Sequence, residues 1–184
     1  MKIIQCYNKN FEYLKLSKLN TVEKIEMVGV NDYANTLLKF NKNDNLINIE
    51  HDITITQEDL DELENCKHDL CVFNYYIYPV STGKKEKVLV HRTKITRDVL
   101  ENGFIRHLVT SINFIKPNYI GSFVDYAGFG VIKIKKGILN KLNISDIEKK
   151  WQTFDSVCSE KFDKINMKFH LHKKILEHNH KRVL

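Results

Sequence analysis

This sequence predicts an α+β fold: a single domain over residues 1–184 in which two antiparallel hairpins join a mixed sheet packed by two or three helices. Three observations carry that prediction. Val72-Phe73-Asn74-Tyr75-Tyr76-Ile77-Tyr78 is an aromatic and branched run, and Ser81-Thr82-Gly83-Lys84-Lys85 separates it from a second run, Lys87 to Ile95. That is the pattern of a hairpin. Thr56-Gln57-Glu58-Asp59 sets a threonine cap and an acid three residues later at the head of an acid-rich segment, which is how a helix starts. Ile147, Trp151, Phe154, Cys158 and Phe162 recur at spacings of 4, 3, 4 and 4, as one face of an amphipathic helix requires. Hairpins interleaved with helices make an α+β chain.

Taken in order, residues 2–7 are a short, half-apolar first strand. Residues 11–49 carry a mixed signal, because Tyr13, Leu14, Leu16 and Leu19 fit a helix while Val28, Val30, Leu46, Ile47 and Ile49 look extended. The helix opened at Thr56 runs to Asn65, its acids where the helix dipole favours them and its one apolar face held by Leu60 and Leu63. In the returning strand of the hairpin, Leu89, His91, Thr93 and Ile95 alternate with Val88, Val90, Arg92 and Lys94, so Arg92 and Lys94 belong on a solvent face. Thr96-Arg97-Asp98-Val99 then opens a helix reaching Phe114 on the stripe Val99, Leu100, Phe104, Ile105, Leu108 and Ile112. Lys116-Pro117-Asn118 ends it. Residues 119–126 and 128–136 form a second hairpin about Ala127-Gly128. Ser145-Asp146-Ile147-Glu148 starts the helix that carries Trp151 and Phe162. From 164 to 172 the alternation of Ile165, Met167, Phe169 and Leu171 with Asn166, Lys168, His170 and His172 predicts a strand, followed by a short basic helix. A continued helix is the alternative, with Ile165, Phe169 and Leu176 on the earlier stripe.

Length and composition bound the class. With 184 residues and 42% apolar side chains, the chain can bury one core. It has no run of about 18 apolar residues and no apolar leader at the N-terminus, so a cytoplasmic protein without a membrane partner is expected. Cys6, Cys66, Cys71 and Cys158 are few and irregularly spaced, and read as buried thiols rather than a disulfide framework. Two Ala, two Pro, four Arg against 25 Lys, and 18 Asn are the bias of an AT-rich genome: a low-GC bacterium, its phages or mobile elements, or a large DNA virus.

The charge is sorted by position. Residues 42–69 hold nine acids against two lysines, residues 84–116 eight bases against three acids, and residues 164–184 six bases against one acid, within a net +6. Such polarity favours charged partners. The basic hairpin offers Lys84, Lys85, Lys87, Arg92, Lys94 and Arg97 with Tyr76 and Tyr78 for phosphates and bases. The acidic helix offers Glu58, Asp59, Asp61 and Glu62 to a basic protein.

No catalytic motif stands out. His91-Arg92-Thr93 is a lone His-x-Thr, and the residues after Asp125 place Lys133 where a metal-dependent nuclease needs an acid. Cys66 and Cys71, with four residues between them, lie inside the spacing range of zinc sites, but read as one buried and one exposed thiol. His170 and His172 point to one side of a strand and are the only metal candidates, with a ligand set that needs distant help; His178 and His180 read as solvated charge. The expectation is a non-catalytic binding protein without a cofactor, monomeric or dimeric through the Trp151 helix. It would be a phage or mobile-element accessory or inhibitor protein, acting on nucleic acid or on a host protein of transcription, replication or defence. The alternative is a small metal-dependent nuclease or phosphoesterase built on His91, Asp125, His170 and His172.

Overall fold

A computed structural model of the protein describes residues 1–10, 14, 16–78, 87–101, 104–145 and 153–179. In chain order the elements are β1 (Lys2–Tyr7), β2 (Glu23–Glu26), α1 (Val30–Asn43), β3 (Leu46–Glu50), α2 (Gln57–Asn65), β4 (Leu70–Ile77), β5 (Val88–Leu89), β6 (Arg92–Glu101), β7 (Phe104–Phe114), β8 (Phe123–Val124), β9 (Val131–Ile134), a 3-10 turn (Leu139–Leu142), α3 (Phe154–Lys164) and β10 (Phe169–Leu176). One mixed sheet runs in the order β2-β1-β3-β9-β4-β10-β8, with β5 added on β4, and β6 and β7 form a separate two-stranded ribbon. This is an α+β architecture. No described helix is long and apolar enough to cross a membrane.

Strand direction decides where a site can form. β1 is parallel to both β2 and β3, β9 is antiparallel to β3 and to β4, and β10 is parallel to β4. β1, β2, β3, β4 and β10 therefore all end at the same edge. The chain leaves β1 for β2 on one side and returns through α1 to β3 on the other, which makes the carboxyl ends of β1 and β3 a topological switch point.

Strands β1 and β3 are apolar on both faces, as strands covered on both sides must be. Ile4, Cys6, Leu46, Val72, Ile132 and Leu171 pack with Ala34 and Leu37 of α1 and with Phe154, Cys158 and Phe162 of α3. Ile3, Ile47, Ile49, Phe73 and Val131 pack on the other face with Leu60 and Leu63 of α2. Helix α2 forms where expected, with the full capping box: the Thr56 hydroxyl accepts from Asp59 N–H, and the Thr56 N–H donates to Asp59 at 3.0 Å. At its other end Lys133 of β9 donates to the Glu64 carbonyl at 3.2 Å and to the Cys66 carbonyl, an ammonium at the negative pole of the helix.

Four expectations are corrected. Residues 92–114 are not strand then helix but the β6–β7 ribbon, in register from Arg92↔Phe114 to Glu101↔Phe104. The apolar stripe expected to bury a helix face leaves Leu100, Ile105, Leu108 and Ile112 exposed. In the first hairpin Tyr76↔Leu89 and Ile77↔Val88 pair among the described residues, but its returning strand does not continue on β4 to Ile95: Arg92–Ile95 belong to the ribbon. The second does not form: β8 lies on β10 and β9 lies between β3 and β4. The last strand is Phe169–Leu176 rather than 164–172, because Asn166 at φ 56° closes α3 first and the Met167 N–H returns to the Phe162 carbonyl at 2.9 Å. The described helix that carries Phe154, Cys158 and Phe162 begins at Phe154; the start expected at Ser145 and the position of Trp151 fall on residues 146–152, which lie outside the described residues, as do Lys84, Lys85 and His180.

Candidate functional site

A cavity of about 750 Å³ opens at the shared carboxyl edge. Tyr7 and Asn8 reach it from the end of β1, Met27, Val28 and Gly29 from the passage between β2 and α1, and Glu50, His51 and Asp52 from the end of β3. Tyr75 and Ile77 come from β4, His178 from beyond β10, and Thr153, Phe154 and Asp155 from the start of α3. Each arrives because its strand or helix ends there. The sequence from Leu46 to Asp52 shows how: an apolar strand runs through the sheet and stops in Glu-His-Asp at the surface of the core.

Three acids, Glu50, Asp52 and Asp155, line this cavity. Burial pushes the Glu50 carboxyl up to about 8, and the charges of Asp52 and Asp155 push it the same way. Asp52 is 5% exposed. Burial opposes its ionisation too, but the hydrogen bond and charge of His178, with the charge of His51, outweigh burial and hold it below the ordinary carboxylate value. His178 Nε2 lies 3.0 Å from Asp52 Oδ2 and its Nδ1 2.7 Å from the Tyr76 carbonyl. The other oxygen, Asp52 Oδ1, is buried with no partner among the described residues.

The rest of the cavity is held rigidly. The Asn179 backbone and side-chain amides both donate to the Asp52 carbonyl, at 2.8 and 3.0 Å. Tyr75 accepts the Gly130 N–H on its hydroxyl at 3.0 Å. A Cβ on Gly130 would lie 2.6 Å from that hydroxyl and 2.5 Å from Ile53 Cδ1, so the close approach needs glycine. Asn48 joins the Tyr33 hydroxyl and the Phe129 carbonyl, each at 2.9 Å.

The residues expected from sequence to carry binding are dispersed. Lys87 lies over the Tyr78 ring at 5.4 Å, and Arg92 lies 5.8 Å from the Phe114 ring and 5.5 Å from that of Tyr126. Lys94 pairs with Asp163, Tyr76 is partly buried against the core, and Arg97 stands exposed on the ribbon. On α2, Glu58 and Asp61 are exposed, but Asp59 is buried under its cap and paired with Lys174, and Glu62 pairs with His172. The proposed centre of His91, Asp125, His170 and His172 does not assemble. His91 is fully buried and bonded to the Phe73 carbonyl at 2.8 Å, and Asp125 accepts from Thr93 at 2.9 Å and from the Lys94 N–H at 2.8 Å. His170 and His172 lie instead beside Cys66 and Cys71, two cysteines that the structure joins rather than leaving as separate thiols.

Glu50, Asp52, Asp155 and His178 were missed as a group because they come from three distant parts of the chain. Only the acids closing an apolar strand were a local signal. No family model and no curated protein matches this sequence. Among solved structures it is similar to the crystal structure of A197 from STIV, at 14% identity and a TM-score of 0.45, over 81% of this chain and 74% of that one.

Proposed function

We propose that this protein binds a divalent cation together with a phosphate-bearing ligand of nucleotide size in the carboxyl-edge cavity. The observation that carries the reading is that Glu50, Asp52 and Asp155 line one cavity, where the charges of Asp52 and Asp155 add to burial in pushing the Glu50 carboxyl up. A divalent cation held by these carboxylates offsets that crowding. Hard divalent cations are bound through one or two carboxylates and complete their shell with substrate phosphates. The N-terminal turns of α1 and α3 reach the same cavity through Gly29 and Phe154, but Asp32 accepts the Val28 and Gly29 N–H groups and Asp155 that of Ser156, so the phosphate charge is left to the cation. Met27, Tyr33, Val90 and Phe154 supply an apolar and aromatic wall for a flat base, and the volume suits a nucleotide.

The test is thermal unfolding of the full chain with each common nucleoside di- and triphosphate, with and without Mg²⁺ or Mn²⁺. A ligand at a hundred times its Kd stabilises by about 2.7 kcal/mol, and Asp52→Asn should abolish that gain. If no nucleotide stabilises the protein with either cation, or the variant gains as much as the wild type, the reading fails.

A second reading keeps nucleic acid as partner and is supported by one feature of the ribbon. Its register pairs Arg97 with Leu108 and Val99 with Arg106, so both arginines emerge on one face of an exposed two-stranded ribbon, a shape that the DNA major groove admits. Binding that weakens steeply with salt and is lost in Arg97→Glu would support it. Salt-insensitive binding would remove it.

A further inference from the structure

We propose that Cys66, Cys71, His170 and His172 form a structural zinc site in the reduced protein. The four lie at the opposite edge of the sheet from the cavity, about 20 Å along β4 at 3.3 Å per residue. Cys66 ends α2, Cys71 begins β4, and the two histidines begin β10, whose register sets His170 beside Cys71. Their ligand atoms all lie within 4.8 Å of one another. Cys66 Sγ is 3.5 Å from His170 Nδ1, close to the roughly 3.6 Å edge of a tetrahedron with Zn–S near 2.3 Å and Zn–N near 2.05 Å.

His172 supplies the independent sign of a ligand. Its ring is 8% exposed, Nδ1 is bound to the Glu62 carboxylate, and Nε2 is buried with no partner among the described residues. A histidine held by a carboxylate through one nitrogen and empty at the other is the arrangement that orients a metal ligand. The His170 ring is fixed as well, stacked on His68 at 4.2 Å and edge-on to Phe123 at 5.5 Å. Lys133 holds the Cys66 carbonyl in place. The structure joins the Cys66 and Cys71 sulfurs; a small-molecule thiol reductant opens that bond by supplying two electrons and two protons and is itself oxidised to a disulfide, and the resulting dithiol takes Zn²⁺ by losing two protons to solvent with no further electron transfer. Two thiolates and two imidazoles with no open position select zinc and make the site structural. It would pin the end of α2 to β4 and β10.

Cobalt titration of the full chain in reducing buffer reads the site directly. One equivalent should give the intense visible absorption of tetrahedral cobalt with a thiolate-to-metal charge-transfer band, and zinc should displace it. Glu62→Gln should weaken zinc by about tenfold to a hundredfold, and half-buried His170→Gln should change the cobalt spectrum while the chain remains folded by circular dichroism. If the folded, reduced wild type binds no cobalt, or gives only the weak spectrum of the hexa-aqua ion, the proposal is overturned without recourse to any variant. A spectrum identical in His170→Gln and wild type overturns the ligand set.

Discussion

Acidification should destabilise this fold through His91 in particular. Its ring is fully buried, Nε2 donates to the Phe73 carbonyl at 2.8 Å, and Nδ1 is buried with no partner among the described residues. Protonating Nδ1 would place a charge where nothing accepts it, so burial lowers the pKa from 6.5 to about 4, against a smaller opposing effect of the Phe73 bond. The folded pKa is below the unfolded one. Between the two, the unfolded chain binds the extra proton, so stability is fully present above pH 6.5 and is lost as pH falls toward 4. At 1.36 kcal/mol per unit, the loss from this one ring is about 3 kcal/mol. His91→Gln keeps a donor for the Phe73 carbonyl but does not titrate. Urea unfolding at pH 7.0, 5.5 and 4.5 should therefore show the wild type losing about 2 kcal/mol more than the variant across that range, the remainder being lost below pH 4.5, other titrating groups cancelling in the difference. Parallel pH profiles for the two proteins would refute the reasoning.

Other perturbations have directions set by the same geometry. Gly130→Ala forces a Cβ against Tyr75 and Ile53 and should cost about 2–4 kcal/mol from overpacking and a lost hydrogen bond. In urea unfolding its cost should shrink in a Tyr75→Phe background, and simple additivity would contradict the contact. Asp59→Ala removes the partner of Thr56 and Lys174 and should lower stability by about 1–2 kcal/mol, measured by the urea midpoint; a change within noise would mean that the cap contributes nothing. Replacing residues 96–109 by a short glycine-containing turn should leave the sheet folded and its thermal midpoint within a few degrees, because this part of the ribbon pairs with itself and the ties of β6 to the body of the protein lie at its base, Arg92 to Tyr126 and Thr93 and Lys94 to Asp125. Global unfolding on this excision would show that the ribbon belongs to the core.

Local signals in the sequence located local structure. The threonine cap and acid at 56–59 marked α2 at its observed bounds, and the first strand and the aromatic run at 72–78 became β1 and β4. The ribbon was misread because Val99, Leu100, Ile105, Leu108 and Ile112 satisfy a helical period, while the β-branched content and the Asn102-Gly103 pair between the two runs favoured a hairpin. The long-range pairings were not legible: β9 enters between β3 and β4, and β10 joins β4 in parallel. For the same reason the cavity acids were visible only as charge. Asp52 meets His178 across 126 residues, and Cys66 meets His170 across 104, so each half of either site looked like an ordinary surface residue on its own.

Electron paramagnetic resonance of Mn²⁺ reads cation binding in the cavity without relying on stability. Titrating the full chain into Mn²⁺ with a nucleoside diphosphate that stabilises it should deplete the free-ion signal in one-to-one stoichiometry, and Asp52→Asn should leave the signal at the level of nucleotide alone. Equal depletion by the variant, or none by the wild type, would contradict the assignment of Asp52 as the group that holds the cation.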